Sequence, residues 1–172
     1  MIEIKFAKLT EGARIPSKRD EDAGYDIYAD MSKSWYYLIP PHTTQMIPTG
    51  IASIIPQSHC FILKERGSTG TKGIAQRCGV IDSGYRGEWL VPITNTTNHL
   101  LIVFDKDAQK PLLELKEVSE NIGTIILYPA NKAICQALLV EVPQTNIIEI
   151  SVDELKSNET ERGEGKLGSS GK

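Results

Sequence analysis

Between Glu3 and Val142 the chain reads as a succession of short β-like runs, each cut off by glycine, proline or a polar turn. Met1-Ile2-Glu3-Ile4-Lys5-Phe6 alternates with the period of two that a half-buried strand requires. Further runs cover Trp35–Ile39, Thr43–Ile47, Gly50–Ile55, Cys60–Lys64, Trp89–Ile93, Leu100–Phe104, Thr124–Leu127 and Ile134–Val142. Pro40-Pro41, Pro48-Thr49-Gly50, Ser83-Gly84, Pro129-Ala130-Asn131 and Pro143 punctuate them. Helical spacing is confined to a turn around Gly70–Ile74 and a stretch over Val152–Lys156. Strands so short bury their apolar faces only against one another, which predicts an all-β sandwich or jelly roll.

Two stretches break this regime. Asp105–Asn121 (DKDAQKPLLELKEVSEN) is charged around Leu112, Leu113 and Leu115 and lacks tight-turn chemistry, so an extra hairpin, a short helix or a mobile arm all fit it. From Ser157 the sequence SNETERGEGKLGSSGK has almost no apolar content. Such a tail cannot offset its ordering entropy alone and is expected to be disordered without a ligand. The expected division is a core over 1–156 and a flexible tail over 157–172.

A chain of 172 residues, 40% hydrophobic, is enough for one domain with a buried core. Its net charge of −3 provides no basic stripe, so direct nucleic-acid binding is not expected. Local clusters of Arg, Lys and backbone N–H can still hold phosphate. Cys60, Cys78 and Cys135 show no CxxC spacing, and His42, His59 and His99 do not complete a ligand set, so buried free thiols are expected rather than zinc. No run reaches transmembrane length and the N-terminus lacks a signal-type apolar stretch, which together predict a soluble cytoplasmic protein.

Five segments could carry chemistry. Gly79–Trp89 (GVIDSGYRGEW) has β-branched residues, a turn and a return strand, a hairpin pattern with Asp82 at its tip. An Asp in a turn ordinarily serves the turn; at the mouth of a pocket it can take a proton from water. Glu65–Gly73 (ERGSTGTKG) sets small hydroxyl and glycine residues between Arg66 and Lys72, which suits either a polar loop or a phosphate cradle. Arg162–Lys172 repeats that chemistry, as a closing arm would. Asp22–Ala29 (DAGYDIYA) is a charged turn entering a strand, or a place where Asp26 orders a cation or water. In NKAICQ, Gln136 could satisfy a backbone group or donate to a phosphate oxygen.

Taken in order, DAGYDIYA, ERGSTGTKG, GVIDSGYRGEW, NKAICQ and RGEGKLGSSG resemble the five motifs of the trimeric dUTPase family, over nearly the whole chain. The resemblance implies an all-β jelly-roll (β-clip) fold and a homotrimer that exchanges C-terminal arms. It implies hydrolysis of dUTP to dUMP and pyrophosphate, with Mg²⁺ bridging the phosphates and Asp26 reaching it through water. Asp82 would activate the attacking water. Gly79, Ile81 and Leu90 would frame the uracil, and Tyr85 would pack against the deoxyribose. Arg66, Gly67, Ser68, Thr69 and Gln136 would hold phosphates under a lid formed by Arg162, Lys166, Leu167, Gly168, Ser169, Ser170 and Gly171.

The chain departs from that pattern in places. Gly67 stands where the family usually has Ser, Asn131 where it has Gly, Lys166 where it has Gly and Leu167 where it has Phe. The stretch from about Asn98 to Asn121 has no counterpart in compact members; it resembles the inserts of phage-encoded enzymes and is a candidate contact surface for another protein. Two rival readings share the motifs' chemistry, a dCTP deaminase-like enzyme and a non-catalytic nucleotide-sensing regulator.

Overall fold

The computed structural model describes residues 2–77, 79–107, 124–160 and 162–164. Two compact units divide the chain, Met1–Val142 and Pro143–Lys172. The first is built around an antiparallel pair, β6 (His59–Lys64) and β12 (Cys135–Glu141). Both alternate as the pleat demands: Phe61, Leu63, Cys135 and Ala137 are buried, while Gln136 and Lys64 turn away from the core. On the far side of β12 lies β2 (Gly24–Ile27), and on the far side of β6 lies β8 (Val80–Ile81), completing a sheet in the order β2-β12-β6-β8.

Three smaller sheets close the core. They are β1 (Lys5–Lys8) with β5 (Ile51–Ile54), then β4 (Thr44–Pro48) with β9 (Leu90–Asn95) and β7 (Ile74–Gln76), then β3 (Tyr36–Ile39) with β10 (Leu100–Phe104) and β11 (Ile125–Pro129). Trp89, fully buried, stands edge-on to Phe61 at 5.2 Å and to Phe6 at 5.5 Å, locking the sheets together. This is an all-β jelly roll, and the one-turn helix α1 (Gly67–Gly70) interrupts it after β6. The second unit contains α2 (Val152–Ser157), capped by Ser151 accepting from the Glu154 N–H at 3.1 Å. Among the described residues no helix is long and apolar enough to cross a membrane.

Several expectations need correction. The first strand begins at Lys5 rather than Met1; the turn expected around Gly70–Ile74 is present, with the Gly73 N–H on the Gly70 carbonyl at 3.0 Å, and is preceded by a helical turn over Gly67–Gly70 that Thr69 closes against Arg66. Gly79–Trp89 is not a paired hairpin: β8 bonds to β6, whereas β9 bonds to β4 and β7. The stretch set apart from Asn98 begins too early, because Leu101, Ile102 and Val103 of β10 are core residues. Beyond it, residues 108–121 lie outside the described residues. β10 and β11 pair in parallel, which rules out a tight hairpin between them and requires a crossover.

Candidate functional site

Pro92 explains why the arms of the Asp82 segment stay apart. Its carbonyl accepts the Arg77 N–H at 2.9 Å, so that side of β9 faces away from β4. Proline has no N–H to offer there, and pairing with β7 ends one residue earlier, at Ile93. Alternation then turns the backbone groups of Leu90 to the same side. Across the gap, the Gly79 carbonyl is taken by the Leu63 N–H at 2.7 Å, which turns the peptide groups of Val80 outward. Two strand edges thus face one another, unpaired among the described residues. The slot of about 600 Å³ is lined by Gly79, Val80, Ile81, Asp82, Tyr85 and Leu90, among others.

Asp82 is exposed at the end of this slot, and no bond among the described residues engages its carboxylate. The loop after it is tightly held. The Tyr85 N–H donates to the Asp82 carbonyl at 3.1 Å, the Arg86 guanidinium donates to the Ser83 and Tyr85 carbonyls, and the Tyr85 hydroxyl donates to the Glu88 carbonyl at 2.9 Å. Trp89 anchors the far end, its N–H on Ile51 and its carbonyl accepting the buried Thr49 hydroxyl at 2.6 Å.

A second pocket, of about 740 Å³, is polar. Register places Gln136 opposite Asp26 on one side and Lys64 on the other. Arg66 Nε pairs with Asp26 at 3.1 Å and Nη1 donates to the Ala133 carbonyl at 3.3 Å, which holds the guanidinium over the pocket. Gln136 donates to the Glu65 carbonyl at 2.9 Å, and Asp22 takes a bidentate bond from Arg19. The Tyr128 hydroxyl donates to the same Ala133 carbonyl at 2.7 Å. Burial pushes its pKa up, partly opposed by the charge of Arg66. Burial also drives the Cys135 thiol far above its ordinary range, so this cysteine is an inert core residue.

A family model described as dUTPase matches residues 10–109. The chain belongs to the dUTPase family. It is 32% identical to a deoxyuridine 5'-triphosphate nucleotidohydrolase of Candida albicans over 98% of this chain and 88% of that protein. A protein of the same description from camelpox virus is 36% identical over 54% of this chain and 60% of its own length. Among solved structures, the dUTPase of Staphylococcus bacteriophage 80alpha with dUpNHpp superposes with a TM-score of 0.71, at 22% identity and covering 98% of both chains. The dUTPase of phage phi11 of S. aureus, described with a structural Mg(II) ion, gives 0.65 at 21% identity, covering 88% of this chain and 99% of that one. These structural likenesses carry the fold.

With dUTPase chemistry in view, the expected residues fall into two groups. The slot gathers Gly79, Ile81, Asp82, Tyr85 and Leu90; the polar pocket gathers Asp26, Arg66 and Gln136. Ser68 is exposed and lies by the Tyr128 hydroxyl, while Thr69 is buried with its hydroxyl tied to Arg66, so it shapes the loop. A Cβ on Gly67 would meet open space, so the usual serine would fit there too. Arg162 is exposed beside Gly163, and Lys166, Leu167, Gly168, Ser169, Ser170 and Gly171 lie outside the described residues. Val80 and Tyr128 were not anticipated. Val80 acts through backbone direction, which side-chain pattern does not encode; Tyr128, next to a turn proline, gave no polar signal at all.

The two groups occupy opposite ends of the sheet. Ile81 pairs with Phe61 and Asp82 continues toward Cys60, whereas Arg66 lies past Lys64 at the other end of β6. About six residues of extended chain, roughly 20 Å, separate them, more than a triphosphate spans.

Proposed function

We propose that the chain hydrolyses dUTP to dUMP and pyrophosphate as a homotrimer. The observation that carries this reading is the slot: two unpaired strand edges, at Val80 and Leu90, present donors and acceptors as a base-pairing partner would. Uracil would lie between them, with Tyr85 against the sugar and Asp82 at the α-phosphate. Asp82 would hold a water and take its proton as the water oxygen attacks the α-phosphorus. The bond from that phosphorus to the bridging oxygen breaks, and pyrophosphate leaves with the electron pair. Little covalent work falls to the protein; it positions and neutralises charge.

The separation of Asp82 from Arg66 supports a site completed between chains, the slot of one facing the Arg66 pocket of another. The second unit fits an arm that docks on a neighbour: Ile147, Ile148, Val152 and Leu155 are all more than half exposed. Arg162 and the glycine-rich tail beyond it would then close over the phosphates. Mg²⁺ fits as part of the nucleotide rather than as a protein-held ion. Asp26 and Asp22 are already paired with arginines, and no three ligands cluster among the described residues. When bound, the ion would offset phosphate charge, with Asp26 in reach through water.

The test is pyrophosphate release from dUTP, dCTP and UTP with Mg²⁺, with ammonia assayed in parallel. dUTP-specific release that is lost on truncation at Ser157 is expected; ammonia from dCTP, or no turnover, overturns the reading.

A further inference from the structure

The Tyr85 hydroxyl is already engaged by the Glu88 carbonyl at 2.9 Å, so only the ring is left to meet a sugar. A ring excludes a hydroxyl by position alone, and two neighbours fix this position. A Cβ on Gly87 would stand 2.5 Å from the Tyr85 hydroxyl oxygen, 2.6 Å from Cζ and 2.9 Å from Cε2, so the ring lies on bare backbone. Gly87 does not use the left-handed region, so space rather than conformation demands glycine here. Glu88 in turn holds the loop down: its Oε1 accepts the Gly50 N–H at 2.8 Å, at a residue whose φ is +65° and whose own Cβ position is filled by Thr10, Ala13 and Asp30. A line of contacts thus runs from the crowded Gly50 through the Glu88 side chain to the Glu88 carbonyl that accepts the Tyr85 hydroxyl.

We propose that Gly87 and Glu88 are positioning residues that set discrimination against a 2′-hydroxyl, acting through the placement of Tyr85. This rests on the dUTP reading above. The experiment measures kcat/KM for dUTP and for UTP in the full-length protein, with melting temperature as the check on folding. Gly87→Ala should lower the dUTP/UTP ratio about tenfold or more, because the ring must move off the sugar. Glu88→Ala should lower it less, and Glu88→Gln, which keeps the Oε1 acceptor, should restore it. A general loss of stability would reduce both substrates alike and leave the ratio untouched. If Gly87→Ala misfolds, the two Glu88 variants decide. The inference is overturned by a ratio within about twofold of wild type in every folded variant, or by Glu88→Gln behaving as Glu88→Ala does. A wild type with no preference for dUTP overturns the substrate reading first, and this inference with it.

Discussion

The slot around Asp82 and the pocket around Arg66 are prepared in opposite ways. In the pocket the polar groups are already partnered: Arg66 with Asp26 and Ala133, Gln136 with Glu65, Asp22 with Arg19. In the slot two strand edges and a carboxylate are left open, and only the loop behind them is tied down. On the proposed function, the difference would follow from what each binds. Phosphate is held by charge whose orientation is set in advance, whereas a base and a water need unmatched donors and acceptors at fixed positions.

Breaking the open half should cost most. Asp82→Asn is expected to lower kcat for dUTP on the order of 10³-fold while a non-hydrolysable analogue binds within a few fold of wild type, measured by pyrophosphate release and calorimetric titration. Unchanged kcat would remove Asp82 from the chemistry. Arg66→Ala comes next: it deletes a phosphate donor and strands Asp26, so KM should rise on the order of 10–100-fold. Asp82→Asn and Arg66→Ala, co-expressed in equal amounts and assayed at dUTP well below the KM of Arg66→Ala, should recover roughly a quarter of wild-type activity if each site draws Asp82 and Arg66 from different chains. No recovery would place both in one chain's site.

Smaller effects sharpen the contrast by loosening supports rather than contacts. Thr49→Val leaves the buried Trp89 carbonyl without its donor and should lower stability by about 1–3 kcal/mol in urea denaturation. The smallest effect is alkaline. Burial raises the pKa of Tyr128, and burial with the charges of Asp30 and Glu88 raises that of Tyr37. Each keeps its proton longer folded than unfolded, so its contribution is complete below about pH 10, the unfolded value, and fades as pH climbs through the folded one. Melting temperature followed from pH 9 to 11 should fall, and Tyr128→Phe should flatten part of that fall.

Much of the fold was legible because alternation is local: Cys60–Lys64 and Ile134–Val142 show their buried and outward residues directly in the pattern. Which strand pairs with which is not local. Nothing in GVIDSGYRGEW says that Val80 joins one sheet and Leu90 another, and the parallel match of Leu100–Phe104 to Ile125–Pro129 brings together stretches distant in sequence. Asp82, Arg66 and Gln136 each allow an ordinary structural reading alone, and it is the order of the five motifs that singles them out as candidates. Thr69 reads in sequence like its hydroxyl neighbours, and only the structure shows its hydroxyl buried against the Arg66 backbone.

The parallel match of β10 and β11 gives the stretch between Asp105 and Thr124 a duty independent of anything it touches. A loop at a hairpin can be shortened until only the turn is left. Here the ends to be joined, Phe104 and Ile125, lie at opposite ends of the parallel pair, so the join has a minimum length. A protease nick between residues 108 and 123 should leave two fragments that stay associated and active. Excision of the same residues would pull β11 out of register and open the core beneath Leu101 and Val103.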